Sequence, residues 1–146
     1  MLIDKQDLPI VAMDFMNEVH YEDVDIINTL FELVLAYDKN PNEENFDAIN
    51  IQYEKWYAHT VNHFEGEETK MLELNFPPYA MHKGEHDKAL ERMNEIYQEW
   101  VKSKNVFILK IYLIEELPAW LIQHIQTMDT ITAMFFSTGS MSCHAH

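Results

Sequence analysis

The stretch from His63 to His86, HFEGEETKMLELNFPPYAMHKGEH, decides how this chain folds. Each end carries a pair of residues four apart, His63 with Glu67 and His82 with His86. A separation of four puts two side chains on one face of an α-helix, one turn apart. Between the pairs, Asn75-Phe76-Pro77-Pro78 stops a helix, because proline lacks an N–H and restricts the residue before it. The stretch therefore holds the end of one helix and the start of the next, and a link this short makes them antiparallel neighbours.

Working outward, apolar residues recur at helical spacing on both sides. A helix over 43–74 carries Phe46, Ile49, Tyr53, Trp56, Val61, Phe64, Met71 and Leu72. One over 79–102 carries Leu90, Met93, Ile96, Tyr97 and Trp100. Before them, 17–37 carries Val24, Ile27, Leu30, Phe31, Val34 and Leu35 and stops at Asp38-Lys39-Asn40-Pro41-Asn42, a turn by composition. After them, Ser103-Lys104-Asn105 connects to a helix over 106–137, disturbed near Pro118. Segment 106–113 is β-branched and apolar enough to pass for a strand, but a lone strand has nothing to pair with. The expected fold is all-α, an antiparallel up-down-up-down four-helix bundle. It forms one domain over 1–146, with an extended N-terminal arm over 1–16 that contains Pro9.

The chain has 146 residues, enough for one sizeable core, with 47% hydrophobic residues and only three glycines. Acidic residues number 25 against 10 basic, a formal net charge of −15. That balance excludes binding to a nucleic-acid backbone, which needs clustered Lys and Arg, and disfavours anionic membrane surfaces. One cysteine, Cys143, excludes an internal disulfide framework. The start, Met1 to Asp7, has neither the basic nor the apolar region of a secretion signal, and no apolar run is long enough to span a bilayer. A soluble cytoplasmic protein, monomeric or weakly self-associating, is expected.

Six of the eight histidines fall within the expected helices. His20 on the first helix and His124 on the fourth join the two facing pairs, so every helix offers at least one ligand to a bundle core. Imidazole with carboxylate suits iron, zinc, copper or nickel, and the lack of thiolates excludes an iron–sulfur centre.

These residues also resemble a known family. His63-Phe64-Glu65-Gly66-Glu67-Glu68 with Met71 is similar to a hemerythrin signature, as is His82-Lys83-Gly84-Glu85-His86. Trp120-Leu121-Ile122-Gln123-His124-Ile125 followed by Asp129, and His20 followed by Ile27-Asn28-Thr29-Leu30, resemble the family's fourth- and first-helix patterns. The resemblance implies two non-haem irons joined by Glu67, Asp129 and a bridging oxo or hydroxo group. One iron would take His82, His86 and His124. The other would take His20 and His63 and keep a position open for dioxygen. Asp129 rests on the resemblance, since five residues of α-helix turn a side chain about 140° away from His124.

The function implied is reversible dioxygen binding for storage, delivery or sensing rather than catalysis. Five imidazoles with two carboxylates leave a ferrous pair little compensating negative charge, unlike carboxylate-rich di-iron sites built for oxidation. Phe64, Trp120, Leu121 and Ile125 flank ligands and are expected to keep the oxygen pocket dry. Three residues after His20 the family usually has an apolar residue, and here Asp23 stands there with Val24 beside it. Two arrangements are open: Asp23 faces the pocket, or the helix is turned so that Val24 does. His59 is a candidate hydrogen-bond partner of a ligand carboxylate, and Glu68 and Glu85 are candidates to orient adjacent ligands. Asn17 and Val19 depart from the family pattern before His20. The Cys143-His144-Ala145-His146 tail is either a weak metal or redox site or a frayed end. The alternative function is a di-iron enzyme acting on nitric oxide or peroxide, or one that repairs iron centres.

Overall fold

The computed structural model describes residues 2–7, 10 and 14–138. Pro9 and the Cys143-His144-Ala145-His146 tail lie outside the described residues. Helices α1 (Asp14–Lys39), α2 (Glu43–Glu73) and α3 (Tyr79–Ser103) are followed by α4, which is helical throughout 106–138. Each helix packs against its chain neighbours and α1 also meets α4, which closes an up-down-up-down bundle. Among the described residues there is no strand, and 106–113 is helical.

The breaks lie where the turn residues stand. Asn42 caps α2, its side chain accepting from the Asn45 N–H at 2.8 Å. At the other end Asn75 takes φ 53°, and the Phe76 N–H returns to the Met71 carbonyl at 2.9 Å before the two prolines. Lys104, at φ 55°, ends α3, and Asn105 caps α4 through the Phe107 N–H. Helix α1 starts at Asp14, three residues ahead of the expected 17, because its first turn is held by packing: Met16 is fully buried. The arm docks on α1. The Ile3 N–H donates to Asn28 Oδ1 at 2.8 Å and Asn28 Nδ2 donates to the Ile3 carbonyl at 3.0 Å, so the Asn28 amide seats a buried Ile3. A short 3-10 turn, Lys5–Asp7, interrupts the extended path.

The core divides the bundle into two ends. At one end, Trp100 meets the edge of Tyr37 at 5.0 Å and donates from Nε1 to Asn50 Oδ1 at 2.8 Å, while Tyr53 donates to the Met93 carbonyl. Ile49, Leu109 and Leu113 fill the space around them. Toward the other end, one layer of inward positions on all four helices carries histidine and carboxylate instead of hydrocarbon, and a smaller apolar cluster of Met71, Phe76 and Phe135 lies beyond it. Two apolar residues expected on helix faces, Leu35 and Leu72, are exposed.

Helix α4 is not uniformly α. Two π-type turns, Tyr112–Glu116 and Ile125–Asp129, interrupt it. In the first, the Leu117 N–H reaches back five residues to the Tyr112 carbonyl just ahead of Pro118, where the missing N–H would disturb the ladder in any case. In the second, the Thr130 N–H reaches the Ile125 carbonyl, also five back.

Candidate metal centre

The second π turn solves the placement of Asp129. One inserted residue makes positions five apart share a face, as positions four apart do in an α-helix. Asp129 thereby turns inward beside His124, its Oδ1 3.1 Å from His124 Nε2. Around it the helices contribute His20 from α1, His63 and Glu67 from α2, and His82 and His86 from α3. Apart from His63, all of these are within 3% of full burial, and the His63 side chain is 6% exposed.

The donor atoms form two groups. Atoms of Glu67, His82, His86, His124 and Asp129 lie within 4.8 Å of one another, and so do atoms of His20, His63 and Glu67. Glu67 belongs to both. Its Oε2 is 2.8 Å from His63 Nε2, and its Oε1 is 3.3 Å from His86 Nε2 and 3.6 Å from His82 Nε2. Asp129 also reaches both sides, with Oδ2 3.0 Å from His20 Nε2 and Oδ1 3.0 Å from His82 Nε2.

Among the described residues, four buried side-chain atoms have no hydrogen-bond partner: His20 Nδ1, Glu67 Oε1, His86 Nε2 and Asp129 Oδ1. Buried polar atoms are normally satisfied, since leaving one without a partner costs about 1–3 kcal/mol. Three of these four face into the donor groups at close range without hydrogen-bonding geometry. His82 Nε2 and His124 Nε2 stand only 3.2 Å apart, both turned to the same point. Lone pairs converging on shared points fit a metal site.

The opposite ring nitrogens are anchored. His86 Nδ1–H donates to Glu68 Oε2 at 2.8 Å, His124 Nδ1–H to Glu85 Oε1 at 2.9 Å, and His63 Nδ1–H to Asp23 Oδ2 at 2.8 Å. His82 Nδ1 pairs with the Thr132 hydroxyl at 2.7 Å. Such partners fix the tautomer that leaves Nε2 free for a metal. Phe64 stacks on His86 at 3.8 Å, and Trp120 on His124 at 4.6 Å, which locks two of the rings from the side.

The charges follow from this packing. Burial works to raise the Glu67 and Asp129 carboxyls, but the surrounding histidines outweigh it, holding Glu67 below its ordinary value and Asp129 well below. Burial works to lower His63, yet Glu67 and Asp23 hold it well above 6.5. His63 and His124 are thus held toward their protonated forms beside ionised carboxylates, and a bound cation would replace those protons.

Residues 12–135 match the family described as Hemerythrin HHE cation binding domain. The chain is 33% identical over 133 residues to the bacteriohemerythrin of Aquifex aeolicus, covering 91% of this chain and 96% of that protein. It is 36% identical over 72 residues to the bacteriohemerythrin of Ralstonia nicotianae, about half of each chain. It is 34% identical over 74 residues to a hemerythrin of Sipunculus nudus, 51% of this chain and 55% of that one. The chain belongs to the hemerythrin family. No solved structure gives a significant match.

For a hemerythrin, the surroundings of the centre hold two features that bear on function. The first is a cavity of about 290 Å³ that adjoins His20, His63, His124 and Asp129. Both histidines of the smaller donor group are on its wall, whereas His82 and His86 of the larger group are not. Asp23, Phe64, Trp120 and Leu121 line it; Val24 and Ile125 are fully buried in the core away from it. Asp23 is thus the one of the two neighbours that faces the pocket.

The second feature is the network on Asp23. Besides His63, its Oδ1 accepts from His59 Nδ1 at 2.6 Å, and His59 Nε2 pairs with Glu22 Oε2 at 3.2 Å on the exposed face. His59 therefore bonds Asp23 and not a carboxylate of the donor groups. Burial works to raise the Asp23 carboxyl, and the two histidine hydrogen bonds overcome that and hold it below its ordinary value. Thr132 was invisible to sequence reasoning, being one hydroxyl within the run Thr130-Ile131-Thr132-Ala133. Trp56, Tyr112 and Leu117 on the cavity wall carried no signal beyond that of ordinary core residues. No described helix is long and apolar enough to cross a membrane.

Proposed function

We infer that the protein is a non-haem di-iron protein that binds dioxygen reversibly. The observation that carries this reading is the asymmetry of two donor groups sharing the Glu67 carboxylate: both histidines of the smaller group, His20 and His63, stand on the wall of the apolar cavity, whereas His82 and His86 of the larger group are closed off from it and only His124 and Asp129 reach it. His82, His86 and His124 would hold one iron, His20 and His63 the other, and Glu67 and Asp129 would bridge them. A ferrous pair supplies two electrons that can be lent to dioxygen and recovered.

The chain's own residues set the conditions for that exchange. Glu68, Glu85, Asp23 and Thr132 hold four imidazoles with Nε2 inward, so little reorganisation accompanies binding. Phe64, Trp120 and Leu121 keep bulk water from the open side, which opposes loss of the bound gas as a reduced product. Five neutral donors against two bridging carboxylates disfavour high oxidation states, and the site stops at reversible binding.

One observation favours a second reading. Glu22, His59 and Asp23 form a hydrogen-bonded chain from the exposed face to His63, a route for protons that a carrier does not require. It suits an enzyme that consumes peroxide or nitric oxide. Oxygen uptake by the anaerobically iron-loaded protein separates the two. One dioxygen taken up per two irons and recovered on purging, over repeated cycles, supports the carrier. A single irreversible oxidation, or rapid turnover of peroxide or nitric oxide, supports the enzyme.

A further inference from the structure

The cavity is larger than a diatomic gas requires. Dioxygen and a metal ion together occupy roughly the space of two waters, about 60 Å³, whereas an engineered apolar cavity of about 150 Å³ already accepts benzene. At about 290 Å³, this cavity offers nearly twice that. Its wall between the centre and the surface is built of Trp56, Phe64, Tyr112, Leu117 and Trp120, with charged groups only at its two ends: Asp23 and Asp129 inside, and the exposed Lys88 with Arg92 and Glu116 at the mouth. There, Arg92 of α3 holds Glu116 of α4 by two bonds, at 2.7 and 3.1 Å. This ion pair spans the two helices that flank the opening.

We propose that the cavity is a binding site for an uncharged aromatic molecule of about six to ten heavy atoms, a size bounded by its volume. The rings on the wall offer edge and face contacts to a flat guest, and such contacts favour aromatic over aliphatic occupants. The wall itself disfavours charge: an ionised guest would be stripped of water between Trp56, Phe64, Tyr112, Leu117 and Trp120 with no counter-charge beside it. The first π turn, Tyr112–Glu116, places Tyr112 on the wall and Glu116 at the mouth within a single turn of α4. The guest would lie over the open side of the centre and share its approach with dioxygen. The site does not depend on the oxygen-binding reading, since its walls are protein side chains.

Toluene and indole, titrated by calorimetry into the iron-loaded protein, test this. The result expected is saturable one-to-one binding that weakens at least about tenfold in Leu117→Trp, whose larger ring takes the guest's space. Ala89→Leu, on the wall of α3 and only half-buried, is the second variant and keeps the test valid if Leu117→Trp fails to fold. Benzylammonium, a charged counterpart that cannot ligate iron, should not bind. No saturable binding, binding unchanged in a folded variant, or equal binding of benzylammonium overturns the proposal. Oxygen uptake measured on the same samples separates the two readings: aromatic binding without reversible oxygen binding overturns only the proposed function. The reverse overturns only this inference.

Discussion

Asp23→Leu separates the two halves of the centre. Asp23 is 6% exposed and its carboxylate receives the His63 Nδ1–H at 2.8 Å, whereas His82, His86 and His124 are held by Thr132, Glu68 and Glu85 on other helices. Leucine is close in size and fills the same buried place, but leaves the His63 Nδ1–H without an acceptor. Removing such an outer partner typically costs 10–100-fold in metal affinity, about 1.4–2.7 kcal/mol. That loss should fall on the group of His20, His63 and Glu67 alone. Competitive chelation with iron counted at each step reads this directly. Asp23→Leu should give up one equivalent at roughly 10–100-fold lower chelator strength than the wild-type protein does, and keep the other as wild type does. Equal weakening of both equivalents, or of neither, would refute the division of labour drawn from these hydrogen bonds.

Further outcomes follow from the same geometry. Fully loaded with excess iron, Asp23→Leu should autoxidise more slowly than wild type, because the cavity wall loses its carboxylate; stopped-flow and bleaching of the oxygenated form measure it. Thr132→Val removes the partner of His82 Nδ1 at nearly constant volume, and should cost about 1–3 kcal/mol in denaturant unfolding of the metal-free protein. Met71→Ala, at a fully buried site, should cost about 2–5 kcal/mol, whereas Leu72→Ala, 58% exposed, should stay within about 0.5 kcal/mol. The metal-free protein should also lose thermal stability on both sides of mildly acidic pH. Glu67 and Asp129, held low, contribute stability above their ordinary values of 4.5 and 3.8 that is lost as pH falls through their folded values. His63 and His124, held high, contribute stability below 6.5 that is lost as pH rises through theirs. Because metal binding needs those protons gone, the loaded protein should not share the alkaline loss, and melting curves with and without iron check the difference.

The bundle was legible because the helix boundaries at the three connections have local causes, unlike the start of α1, which packing sets. Asn42, Asn75 with the proline pair, and Asn105 mark ends wherever the chain lies in space. The pairs four apart were legible for the same reason, since α-helical spacing is a local property. Asp129 was not, because it depends on a π turn that no residue type announces; only resemblance pointed to it. The choice between Asp23 and Val24 turned on the rotation of α1 against its neighbours, which the His59 and His63 hydrogen bonds fix from α2. Thr132 and the cavity wall depend on how α3 meets α4, and neighbours across helices leave no periodic trace. The buried Ile3 likewise depends on Asn28, a clamp 25 residues away in sequence.

The most direct measurement is the visible spectrum of the anaerobically iron-loaded protein before oxygen, after oxygen and after purging, with iron counted per chain. The account predicts two irons per chain and an oxygen-dependent absorption band that vanishes on purging and returns on re-exposure. One iron per chain, or a spectrum that passes once to an oxidised form and never returns, would contradict it.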